Sequence, residues 1–162
     1  GAVDKKLKQW DVILSNAVIQ HDMDARPLFN KYVIPAIESE KIFPRQDVLE
    51  FVFNSIKDDL NKDNLSHFGS VYKGLIGTGD MFITSKKKID QLSEEIPGLT
   101  AIEMEGAAFS QVAFQEEVDW MVMRVISDEA NENASTDFNK FIEEYKSKSF
   151  DIIKLFLKAL VK

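Results

Sequence analysis

Apolar runs of strand length alternate along this chain with segments whose apolar positions recur every three or four residues. Residues 12–19 (VILSNAVI), introduced by Trp10-Asp11, predict a strand. The polar QHDMDARP that follows and the proline-containing KYVIPAI predict a loop with little regular structure. Val48, Phe51, Val52, Ile56 and Leu60 fall at helical spacing within residues 47–60, with Asp47 placed to cap the helix. Residues 71–78 (VYKGLIGT) predict a strand running into a glycine-rich turn, and residues 87–95 a short amphipathic helix closed by Pro97-Gly98. A buried strand over 100–104, a helix over 106–117 and a further strand over 120–126 come next. From Asp137 to the C-terminus, Phe138, Phe141, Ile142, Tyr145, Ile152, Ile153, Phe156, Leu157 and Leu160 mark one long amphipathic helix.

Strands alternating with helices predict an α/β fold: a central mixed, largely parallel β-sheet flanked by helices. No repeat, low-complexity tract or linker interrupts the pattern, so residues 1–162 are expected to form one domain.

Composition narrows the function. A net charge of −7 argues against binding nucleic acid or an anionic membrane surface, both of which call for a basic face. The absence of cysteine excludes a disulfide framework, a thiolate nucleophile and a Cys-ligated metal within these residues. No apolar run approaches the roughly 20 residues of a membrane span, and no signal-peptide pattern opens the chain. These features predict a soluble, cytoplasmic protein.

Ligands of open α/β sheets gather at the C-terminal ends of strands. Three polar motifs fall at such ends: GTGDMFI (77–83), EMEG (103–106) and RVISDEAN (124–131). If the strand continues through EMEG, Glu103 and Glu105 share one side and Met104 takes the other. Glu105 is equally well placed to sit at the positive end of the helix that starts beside it. Asp128 is either a site carboxylate or a turn former. Gly77-Thr78-Gly79 fails as a dinucleotide fingerprint because Phe82 stands where the third glycine belongs, and no P-loop or Gly-x-Ser-x-Gly elbow is present. Phe82, an aromatic after glycines, is either core or a stacking platform for a planar ligand. His21-Asp22-Met23-Asp24 has metal-binding residue types, but the only other histidine is His67 and no second ligand cluster accompanies it. A polar loop is the better reading, and no metal is expected.

Taken together, IEMEGAAFSQVAFQEEVDWMVMRVISDEAN, GLIGTGDMFI and IQHDMDARPLF closely resemble the 5′-methylthioadenosine/S-adenosylhomocysteine nucleosidase family of the wider nucleoside phosphorylase superfamily. The likeness runs from Gly1 into the final helix, with the motifs in order. It implies hydrolysis of the N-ribosidic bond, releasing adenine and a 5′-thioribose, by a homodimer with no cofactor. By the same resemblance, Asp128 assists protonation of adenine N7, general-acid work that suits a carboxyl able to share its proton with the base. Glu105 holds the ribose hydroxyls, and Glu103 is a supporting ribose or water contact. Met104 packs on the sugar and the 5′-thioalkyl group, Phe82 stacks on adenine, the Ile83 backbone meets the purine edge, and Phe138 covers the 5′-substituent. Ser127 and Arg124 support Asp128 and its strand.

Two departures accompany the likeness. The family's N-terminal strand, whose glutamate activates the attacking water, has no counterpart in these residues. The 162-residue chain is therefore expected to be the C-terminal portion of a longer protein, to lack the first strands of the sheet, and not to turn over substrate by itself. Arg26-Pro27-Leu28-Phe29 replaces an aromatic-rich stretch near the subunit interface, which leaves the preference between the two nucleosides open. The alternatives are a phosphorolytic purine nucleoside phosphorylase and a non-catalytic nucleoside-binding module. The acidic, polar DEANENAS after Ser127 lacks the basic residue that phosphorylases often carry there.

Overall fold

A computed structural model describes residues 1–60, 65–130 and 133–160. Asn131, which ends the RVISDEAN motif and lies within DEANENAS, is outside them, as are Glu132 and the last two residues of the expected final helix. In chain order the described elements are β1 (Val12–Gln20), β2 (Lys41–Ile42), α1 (Gln46–Leu60), β3 (Val71–Thr78), α2 (Lys86–Glu95), β4 (Leu99–Glu103), α3 (Gly106–Gln115), β5 (Met123–Val125) and α4 (Ala134–Leu160).

β1 is the centre of the sheet because nearly every one of its side chains is buried, so neither face can be turned to water. β3 pairs with it in parallel from Val12↔Val71 to Gln20↔Thr78, and β4 adds in parallel beyond β3. The opposite edge of β1 is shared by two short antiparallel strands, β5 against residues 12–14 and β2 against Val18 and Ile19. The sheet is thus mixed, with a parallel centre.

Its faces are covered by helices. Val12 and Leu14 pack with Leu49, Val52 and Ile56 of α1 and with Ile152, Leu155 and Ala159 of α4. Ala17 and Ile19 meet Ile89 and Leu92 of α2, while Ile13 and Val18 meet Ala107 and Ala113 of α3. Burying each of the large side chains Ile13, Leu14 and Ile19 contributes about 2 kcal/mol by transfer, an upper figure because unfolded chains already hide some surface.

Several elements differ from the sequence pattern; the strand expected over 100–104 is Leu99–Glu103, and the helix expected over 106–117 ends at Gln115. α1 begins at Gln46, so Asp47 lies inside its first turn instead of capping it, and the Arg45 guanidinium bonds to Asp47 at 2.8 and 3.0 Å. The expected strand over 120–126 shrinks to Met123–Val125, because only these residues find a ladder partner on β1. α4 starts at Ala134, before Asp137. β2 has only two residues and exists by pairing, with no periodicity of its own.

One feature of the topology positions the site. β5 runs antiparallel to β1, so its C-terminal end lies beside Val12, away from the C-terminal ends of β3 and β4. The amino-terminal residues close the gap between them. Ala2 bridges to Ala101 on the free edge of β4 and donates its N–H to the Asp128 carbonyl at 2.8 Å. Residues 1–3 thereby join β4 to the segment that follows β5.

Candidate active site

Thr78 and Glu103 end their strands side by side. Beyond Glu103 the chain enters α3 almost at once, with Glu105 as the residue before the helix, at φ −132° and ψ −28°. The unpaired N–H groups of this first turn are met by Glu103. Its carboxylate accepts from Gly106 N at 2.8 and 3.0 Å and from Glu105 N at 3.2 Å, a negative charge at the positive end of the helix dipole. The Thr78 hydroxyl donates to the same carboxylate and accepts the Ala107 N–H at 2.7 Å. Arg124 completes the set, with Nε at 2.9 Å and Nη2 alongside. Burial pushes the Glu103 carboxyl up, but the Thr78 hydroxyl, the Arg124 guanidinium and the Gly106 N–H outweigh it and hold the group below the usual carboxylate range.

This geometry corrects two expectations about EMEG. The strand stops at Glu103, so the two glutamates do not share a side by strand alternation. The helix start is served by Glu103, whose side chain is 11% exposed, while Glu105 is 76% exposed and reaches only as far as Arg124 Nη2 at 3.4 Å.

Asp128 is buried at 3% exposure. One carboxylate oxygen accepts the Ala130 N–H at 2.8 Å and the other the Ser127 hydroxyl at 2.6 Å. Each oxygen keeps a further lone pair for a ligand. Gly1 runs past it so closely that a Cβ there would stand 2.5 Å from Asp128 Oδ1, and Gln9 Nε2 holds the Ser127 carbonyl at 2.6 Å. On the apolar side, Phe82 from the loop after β3 and Phe138 from the first turns of α4 meet edge to face, with centroids 5.8 Å apart and planes at 65°.

These groups surround one cavity of about 650 Å³. All nine residues singled out in the sequence line it: Phe82, Ile83, Glu103, Met104, Glu105, Arg124, Ser127, Asp128 and Phe138. Tyr145 also lines it and was not singled out; it stacks on Phe141 at 5.1 Å, and burial pushes its phenol up against the opposing pull of Arg124. The apolar stripe of α4 contained both residues, but periodicity does not say which part of a stripe faces a void. Thr78 was missed for a similar reason, since a threonine ending a strand is ordinary until Glu103 and Ala107 are seen beside it.

His21 is not the polar-loop residue the sequence suggested. It is 4% exposed, and among the described residues neither ring nitrogen has a hydrogen-bond partner. No group of three or more His, Asp or Glu side chains able to hold a metal ion occurs among the described residues. The cavity's donors and acceptors suit an organic ligand that carries both an aromatic ring and hydroxyl groups.

Comparison with known families decides the lineage: the phosphorylase superfamily model matches residues 1–158. The chain belongs to the phosphorylase superfamily. Among individual members of the superfamily, it is 33% identical over 144 residues to the 5′-methylthioadenosine/S-adenosylhomocysteine nucleosidase of Haemophilus influenzae strain PittEE, covering 88% of this chain and 58% of that protein. The corresponding nucleosidase of Staphylococcus haemolyticus strain JCSC1435 is 31% identical over 160 residues, covering 99% of this chain and 67% of that protein. The nucleosidase of Neisseria meningitidis, solved with methylthio-immucillin-A, superposes with a TM-score of 0.85 at 25% identity, over 99% of this chain and 66% of that one. The nucleosidase of Colwellia psychrerythraea 34H, solved with adenine, gives 0.84 at 28% identity, over 99% and 64%. This superfamily chain spans 58% to 67% of the length of these two curated relatives.

Proposed function

We propose that the cavity binds an adenine nucleoside bearing a 5′-thio substituent, and that the protein hydrolyses the N-ribosidic bond of 5′-methylthioadenosine and S-adenosylhomocysteine. The observation that carries this reading is the placement of Asp128, buried and held through both oxygens, in the same cavity as the Phe82–Phe138 pair and Glu105. The nucleosidases to which the chain is similar support the choice of substrate.

In this reading adenine lies against Phe82, with the Ile83 backbone at its edge, and Asp128 shares a proton with N7. Proton sharing makes the departing base neutral, which is general-acid catalysis worth about 10²- to 10⁴-fold in rate. Loss of the base leaves an oxocarbenium-like sugar. The Glu105 carboxylate, free of the hydrogen bonds that occupy Glu103, binds the ribose hydroxyls and offsets that positive charge. Met104 forms the apolar floor under the sugar and Phe138 covers the 5′-substituent. Ser127 fixes one oxygen of Asp128, and Arg124 acts on the ribose side by anchoring Glu103. The whole chain is read as one domain, acting in the cytoplasm as a homodimer. Phe109 and Val112, one turn apart on α3 and 57% and 62% exposed, support a subunit interface there.

The test is adenine release from methylthioadenosine in phosphate-free buffer by the longer, parent-length protein expected above, which supplies the water-activating glutamate, and by its Asp128→Asn variant. The expected result is release without phosphate, and a loss on the order of 10²- to 10⁴-fold in the variant, with adenine still bound by both. Release that requires phosphate points to phosphorolysis instead. Adenine binding with no release by the wild type points to a binding module.

A further inference from the structure

The loop that carries Phe82 and Ile83 leaves β3 through Gly79 and Asp80, and two residues after β1 hold that exit from below. His21 N–H donates to the Thr78 carbonyl at 2.9 Å, extending the β1–β3 ladder by one bond. Its imidazole then lies directly against Gly79. A Cβ on Gly79 would overlap the ring, 2.5 Å from Nε2, and would stand 2.9 Å from Asp22 Oδ2. One residue on, the Asp22 carboxylate accepts the Asp80 N–H at 2.8 Å. The other side of the same exit is tied by Gly79 N–H to the Glu103 carbonyl at 3.2 Å.

The GTG spacing thus admits an aromatic ring, not a phosphate. We propose that His21 and Asp22 are positioning residues for the adenine subsite: the His21 ring acts as a wedge and the Asp22 carboxylate as a tie, and together they fix the Gly79–Ile83 loop so that Phe82 is held in place for the base. This rests on the adenine reading given above. Neither residue lines the cavity, so the pair acts only through the loop. The ring needs no charge and no hydrogen bond to do this. Burial pushes the His21 imidazole down, the nearby Lys88 adds to this, and Asp22 and Glu103 oppose it without reversing it, which fits a neutral wedge.

Three variants test the clasp: His21→Ala removes the wedge, His21→Leu restores bulk close to that of the ring without any polar atom, and Asp22→Ala removes the tie from the surface. Two readouts are used, the dissociation constant for adenine and the hydrogen exchange of the peptide spanning residues 79–84. Expected are faster exchange in His21→Ala and Asp22→Ala, adenine binding weakened by up to about tenfold in each, as befits a misplaced aromatic contact, and recovery of both in His21→Leu. In turnover by the parent-length protein, His21→Ala and Asp22→Ala raise KM while kcat stays within about twofold, the mark of lost uniform binding, and His21→Leu does not. Unchanged exchange and adenine binding in folded His21→Ala, or in Asp22→Ala should the first not fold, overturn the clasp. So does a His21→Leu variant as defective as His21→Ala, since shape would then not be what the ring supplies. If the wild type binds no adenine, the reading of the site fails, and the exchange of residues 79–84 alone decides whether the clasp exists.

Discussion

The two flanks of the β3 exit hold their neighbours by opposite means. Toward β4, Glu103 is surrounded by donors: Thr78, Arg124 and the N–H groups of Glu105 and Gly106 all point at one carboxylate. Toward β1, His21 is more deeply buried, yet neither of its nitrogens is bonded among the described residues. The first flank fixes position by direction, because each hydrogen bond tolerates little misalignment. The second fixes it by volume, because a flat ring fills the space that Gly79 leaves open. A polar network of this kind breaks when any partner is removed, whereas a wedge needs only something of its size.

The largest expected effect follows from breaking the network. Glu103→Ala strands the Gly106 N–H, the Thr78 hydroxyl and part of the Arg124 charge at once. The expected cost is on the order of 3 kcal/mol, reduced from a fully buried pair because Arg124 is partly solvated. For a chain of this size that lowers Tm by about 10 °C, read by thermal unfolding monitored by circular dichroism. A Tm within a degree or two of wild type would mean the carboxylate is dispensable to the fold.

Glu105→Gln sharpens the contrast, since it lies two residues away with almost none of those bonds. Stability is expected to stay within about 0.5 kcal/mol, as for an exposed substitution. Its loss should appear in the kcat/KM of the parent-length protein for methylthioadenosine, by roughly 10- to 100-fold, because the ribose contact and the charge offsetting the sugar cation both weaken. If Glu105→Gln instead unfolds the protein and Glu103→Ala only slows it, the roles given to the two glutamates are reversed.

How much of this was legible beforehand depends on where the information sits. β1 was readable because a strand buried on both faces is mostly apolar, β3 because its apolar run ends in a glycine-rich turn, and α4 because its 3.6-residue stripe is long. β2 and the limits of β5 were not, since both are set by which residues find a partner on β1. All the expected cavity residues but Phe138 fall in three separated motifs, and Phe138 came from the family resemblance, although the reason they meet was not legible. β5 is antiparallel, and the backbone bonds of Ala2 to Ala101 and Asp128 link the segment after β5 to β4. The division of labour within EMEG was hidden too, because it depends on the strand stopping at Glu103. His21 sits in a run of polar residues, and its burial comes from glycines more than fifty positions further on, which no local pattern carries.

Acid separates the two flanks by the pH at which each gives way. The His21 imidazole has its proton affinity lowered by burial, so below about pH 6.5 the unfolded chain takes up a proton that the folded chain refuses. Stability therefore falls as pH drops from about 6.5 toward the lowered folded value, at no more than about 1.4 kcal/mol per pH unit for one group. His67, also lowered by burial and by Lys148, adds a loss of the same sign. Glu103 behaves as a depressed carboxylate: its contribution is complete above about pH 4.3 and is lost only as pH falls through its lower folded value. Urea midpoints at pH 7.5 and 5.5 thus report the wedge and leave the network untouched. The wild type is expected to lose stability between them, and His21→Leu to lose less, the residue of the effect belonging to His67 and to the Gly1 amino group, whose proton affinity burial also lowers. Equal losses in the two proteins would mean that His21 is free to accept its proton in the folded state, and a wedge that readily takes a charge in so dry a place is no longer held there by shape alone.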